Sequence, residues 1–82
     1  MSPAVLRVGP YRFYFVSHDL REPSHVHVDR EDLSAKFWLD PVALAYNLGY
    51  PARELRKLEA IIAEHQRQLL EAWNDYFGTP SG

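Results

Sequence analysis

The sequence predicts an α+β fold: an antiparallel sheet of three to four strands, with a short helix and a long C-terminal helix packed on one face. Three observations point there. Apolar and aromatic side chains alternate with period two through the first half of the chain. They recur at three- and four-residue spacings through the second half, and Gly, Pro and Asp punctuate the places where a sheet must turn. Laying a helix across one sheet face buries both apolar surfaces at once.

Val5 to Val8 reads as a short first strand, closed by the turn signal Gly9-Pro10. From Tyr11 to Ser17 the aromatic Tyr11, Phe13 and Phe15 fall on one face and Arg12, Tyr14 and Val16 on the other, a composition that favours extended backbone. Ser17 to Pro23 is polar and reads as a loop. Val26 and Val28 then alternate with His25, His27 and Asp29. After Arg30-Glu31-Asp32, the apolar Leu33, Ala35, Phe37 and Leu39 alternate with Ser34, Lys36 and Trp38, so the two runs form a hairpin with one apolar face. Asp40-Pro41 reads as a helix cap followed by proline at the first helical position, opening a short helix through Tyr46 that Gly49 ends. A longer helix is expected from near Pro51 to about Phe77. Leu55, Leu58, Ile62, Leu69 and Trp73 make its apolar stripe, with Arg53, Lys57, Glu64, Arg67 and Glu71 opposite. Residues 1–78 read as a single domain and residues 79–82 as a flexible C-terminal end.

Composition excludes several function classes. Eighty-two residues are too few for a second substrate-binding lobe, since domains run to roughly 100–200 residues. A domain of this size buries only about 60% of its unfolded surface, so a partner or a second copy is an economical way to complete it. With no cysteine there is no disulfide framework, thiolate zinc site or cysteine nucleophile. The start, Met-Ser-Pro-Ala-Val, lacks a basic region followed by an apolar core, and no run is long and apolar enough to span a membrane, which reads as cytoplasmic. The formal net charge of −2 offers nucleic acid no global attraction. The charge is unevenly spread, however, with a basic start to the long helix and acidic residues toward its end.

The densest group of titratable side chains lies between His18 and Asp29. In a strand His25 and His27 project from one face about 7 Å apart, a separation that two ligands of one metal ion or two members of a proton-transfer pair span. His18 adds a third imidazole, with Asp19, Glu22 or Asp29 as a further ligand or support. The same histidines could instead hydrogen-bond to the loop and fix the Glu22-Pro23 turn. Lys36 and Trp38 share the outer face of the hairpin with His25 and His27, and there a Trp beside a cation makes a platform for a base and a phosphate. Arg53, Arg56 and Lys57 at the start of the long helix add candidate contacts to phosphate or RNA, in an orientation that the helix dipole disfavours. His65 falls on the apolar arc and reads as a core histidine.

Phe15-Val16-Ser17-His18-Asp19, followed by Glu22-Pro23-Ser24-His25-Val26-His27-Val28, resembles domain-of-unknown-function family 4160 of small prokaryotic proteins. Its members carry a Glu-Pro-Pro-His-x-His-Val motif. The likeness continues through Ala35-Lys36-Phe37-Trp38-Leu39-Asp40-Pro41 and from Glu54-Leu55-Arg56 to Glu71-Ala72-Trp73, covering nearly the whole chain. Ser24 stands where a second proline is usual, and Pro51 where a Ser or Thr cap is common. The resemblance implies one half of a two-gene module, similar to toxin–antitoxin pairs, and brings no reaction with it. The positions it carries over are His25, His27, His18 and Pro23.

The leading expectation is therefore a toxin–antitoxin-like component acting through a small protein encoded by an adjacent gene, without a cofactor and with RNA and a homodimer as further options. If it cleaves RNA, His25 and His27 are the catalytic acid–base pair, and Lys36, Trp38, Arg53, Arg56 and Lys57 contact phosphate or RNA. One alternative is a metal-binding domain or metallohydrolase holding a divalent metal such as zinc on His18, His25 and His27. Another is a non-enzymatic protein-interaction module.

Overall fold

The alternation of the first half becomes a five-stranded antiparallel meander in the computed structural model, which describes residues 4–78. Its strands are β1 (Ala4–Val8), β2 (Tyr11–Tyr14), β3 (His25–Arg30), β4 (Leu33–Leu39) and β5 (Val42–Leu48), each beside its sequence neighbour. Two helices follow, α1 (Ala52–Glu64) and α2 (Gln66–Phe77). Residues 79–82, read as a flexible end, lie outside the described residues, as do residues 1–3.

Three expectations are corrected. The sheet has five strands rather than three to four, because the segment read as a short helix through Tyr46 is β5. Asp40-Pro41, read as a helix cap, is the two-residue turn joining β4 to β5, and its peptide bond is cis. Val42, Leu44, Tyr46 and Leu48 fall at period two, and pairing with β4 outweighs the helix propensity of the two alanines between them. The long helix is also interrupted. At His65 the backbone leaves the helical region (φ −106°, ψ 18°), while the ring Nδ1–H donates to the Ile61 carbonyl at 2.8 Å. A side chain that competes for the backbone acceptors of the preceding turn is a known cause of such bends.

The core lies between the sheet and the helices. Register partners point to the same face, so Phe13 and Val28, Val28 and Ala35, and Val26 and Phe37 line one side. Leu58 and Ile62 of α1 and Leu69 and Trp73 of α2 close over them, all buried. The link from β5 to α1 is held by Asn47, whose side chain accepts from the Tyr50 backbone N–H and donates to the Tyr50 carbonyl. Gly49 between them has φ +103°, a conformation that side chains disfavour. Arg30 at the end of β3 grips Glu54 on α1 with two guanidinium nitrogens, and Tyr11 donates to the same carboxylate at 2.7 Å. No helix among the described residues is long and apolar enough to cross a membrane.

Candidate functional site

Register builds the opposite sheet face in rows. Tyr14 pairs with His27, His27 with Lys36, and Lys36 with Tyr46, giving one row across β2 to β5. Arg12, Asp29, Ser34 and Leu48 make the next row, and His25 sits opposite Trp38. The helices pack on the other face, and only at the His25 end does Trp73 of α2 reach this one.

At the end of this face the β2–β3 connection closes on the histidines. A 3-10 turn, Ser17–Arg21, is tied by the Asp19 N–H donating to the Val16 carbonyl and the Glu22 N–H to the Asp19 carbonyl, both at 3.0 Å. The turn brings the Asp19 carboxylate to the strand. Its Oδ2 lies 2.7 Å from His25 Nε2 and 2.8 Å from His27 Nε2. On the far side of its ring, His25 Nδ1–H donates to the Pro23 carbonyl at 2.9 Å. The His25 side chain is 0% exposed, whereas those of Asp19 and His27 are 18% and 19% exposed. Burial acts to raise the Asp19 carboxyl pKa, but hydrogen bonds from His27 and His25, with the attraction of their rings, more than offset it and hold the group below its ordinary range.

Aromatic rings wall the cluster. Tyr14 stacks on His27 with centroids 5.3 Å apart, Trp38 meets His25 edge-on at 5.6 Å, and Trp73 approaches His25 at 5.1 Å. Lys36 Nζ stands 4.9 Å over the Trp38 ring and donates to Glu22, whose carboxylate lies 3.6 Å from His25 Nδ1. The uncovered face therefore engages its own cations, Lys36 with Glu22 and Arg12 with Asp29 at 3.9 Å.

The sequence-derived residues divide into four groups. His25, His27, Lys36 and Trp38 come together here, and Asp19 completes the convergence. His18 is exposed on the turn, outside the group of ligating atoms that lie within 4.8 Å of one another. Arg53 and Lys57 line a separate cleft of about 670 Å³ with Pro10, Tyr11, Arg30, Pro51 and Glu54, and Arg56 is exposed on the same helix. His65 holds the bend between the helices.

Domain of unknown function (DUF4160) is the family matched by residues 11–74, a stretch that includes β2 to β5, α1 and the whole cluster. The chain belongs to this family. No curated protein and no solved structure matches it. In this DUF4160 member two features escaped the reading of the sequence. Asp19 reads from the sequence only as one of three carboxylates that supplement the histidines, yet it is the one on which His25 and His27 converge. The second is the edge strand β5, whose signal was the period-two run from Val42 to Leu48.

Proposed function

We propose that the protein is one component of a cytoplasmic, toxin–antitoxin-like pair and works by binding a small protein partner along the free edge of β5. The observation that carries this is the edge itself. β5 is seven residues long, ends the sheet, and contains no charge and no proline. Leu44, Tyr46 and Leu48 on it are 43%, 52% and 56% exposed. Natural edge strands are usually blunted by charges, prolines or a covering element, because unpaired backbone groups recruit other strands. A partner strand added here satisfies those groups and covers the apolar side chains. The two-gene arrangement implied by the resemblance supplies such a partner.

Charge favours protein over RNA at this face, because the cations nearest it are already paired and nucleic-acid affinity rests on cations free to neutralise phosphate. The test is co-purification with the product of the adjacent gene, followed by titration. A one-to-one complex is expected, and Tyr46→Lys or Leu48→Lys should weaken it about 30-fold or more, the scale of an interface hot spot. A complex of equal affinity in both folded variants would sink the proposal. Self-association through β5 would show instead as a dimer of the isolated chain that the same variants dissolve.

A second reading, RNA as the target, is favoured by the cleft at the start of α1, where Arg53 and Lys57 stand beside Tyr11. In it His27 is the acid–base group, His25 orients it through Asp19, and Lys36, Trp38, Arg53, Arg56 and Lys57 hold the strand. Its test is cleavage of single-stranded RNA by the purified protein, abolished in His27→Ala. No cleavage by the wild type would remove it.

A further inference from the structure

The chemistry of the Asp19, His25 and His27 cluster goes beyond tying a loop to a strand. His25 is fully buried, and its Nδ1–H is committed to the Pro23 carbonyl. Its Nε2 therefore has only the cluster to serve, and there it faces Asp19 Oδ2 at 2.7 Å. An imidazole nitrogen and a carboxylate oxygen are both acceptors once deprotonated, so a cation must stand between them. That cation is either a proton or a metal ion.

We propose that the carboxylate of Asp19 and the Nε2 atoms of His25 and His27 are the ligands of a divalent first-row transition-metal ion. Donor atoms of all three residues lie within 4.8 Å of one another. Ligands held at roughly 2.0–2.2 Å from one ion stand about 3.3 Å apart, so the two Asp19 contacts must open by about half an ångström and the remaining separation, no more than 4.8 Å, must close to the same value. The Pro23 carbonyl on the far nitrogen of His25 is the kind of support that fixes the tautomer of a ligating histidine and aims its lone pair, and Glu22, steadied by Lys36, adds negative charge on the same side.

The donor set selects the class of ion. Two imidazoles and a carboxylate, in a chain with no cysteine, suit zinc, iron(II), cobalt(II) or manganese rather than copper(I). Three protein ligands leave a coordination position free, the pattern of a reactive rather than a purely structural zinc site. Partial exposure of Asp19 and His27 opens that position to solvent. The cluster is two strands from Tyr46, so metal binding and partner binding separate by mutation.

The test uses untagged full-length protein, stripped with chelator and titrated with Co²⁺ while visible absorption is followed, with melting temperature read in parallel on adding Zn²⁺. One equivalent of Co²⁺ with d–d bands and a raised melting temperature are expected. Asp19→Asn and His27→Gln, each checked for native circular dichroism, should weaken binding at least 10-fold, and His18→Ala should leave it unchanged. Absence of stoichiometric binding would overturn the proposal, as would binding that survives both Asp19→Asn and His27→Gln or depends on His18.

Discussion

The rings of Trp73 and His25 lie 5.1 Å apart, centroid to centroid, so the helix layer and the histidine cluster share a wall. Trp73 also meets Phe15 edge-on at 5.4 Å and Phe77 at 4.3 Å. Trp73→Ala should therefore cost about 3–5 kcal/mol, the usual range for truncating a buried aromatic. Urea denaturation followed by tyrosine and tryptophan fluorescence measures it. A loss below about 1 kcal/mol would show that α2 is not coupled to the site. Because Trp73 is buried, any loss of partner binding in this variant reports folding rather than contact.

Removing Asp19 leaves two ring nitrogens facing an empty space, one of them on a fully buried ring. Asp19→Ala should destabilise by about 3 kcal/mol, as expected when one partner of a largely buried charged network is deleted, and Asp19→Asn by less. Chemical denaturation of the two variants checks the order. Equal and negligible losses would mean that the cluster does not hold the 3-10 turn to β3.

The Glu54 carboxyl sits below its ordinary 4.5, first through its hydrogen bond from Arg30 and next through that from Tyr11, against a smaller opposing effect of desolvation. A folded value below the unfolded one favours the ionised form in the fold. The stabilisation is thus complete above that unfolded value, near 4.5, and is lost as pH falls through the lower folded value. Wild-type stability should fall more steeply than that of Glu54→Gln as pH drops below about 5. Parallel pH profiles for the two proteins would contradict this.

Gly49 adopts φ +103°, and a Cβ there would lie 2.6 Å from Leu33 Cδ2. The leucine terminus can rotate away, but the backbone strain remains. Gly49→Ala should cost about 1–3 kcal/mol, read from the urea midpoint at constant slope. A neutral effect would mean that the β5–α1 link relaxes freely.

Much of the core was legible before the structure. Phe13, Phe15, Val26, Val28, Phe37 and the stripe Leu58, Ile62, Leu69 and Trp73 are all buried as their periodicities require. The second half of the sheet was harder to read, because Asp40-Pro41 satisfies both a helix start and a tight turn, and only pairing with β4 selects the turn. The break at His65 was invisible for a related reason, since the apolar spacing runs through it undisturbed while the side chain takes the Ile61 carbonyl. At the site, His25 and His27 followed from strand alternation. Which loop residue joins them depends on the curl of the 3-10 turn, which turns Asp19 inward and leaves His18 exposed.

Amide hydrogen exchange of the isolated chain, compared with the chain in the proposed complex with an adjacent-gene product, tests partner binding at β5 most directly. Slowed exchange concentrated in Val42–Leu48 is the expected result, with the α1 and α2 amides little changed. Protection confined to the helices, with β5 exchanging as it does in the free protein, would contradict it.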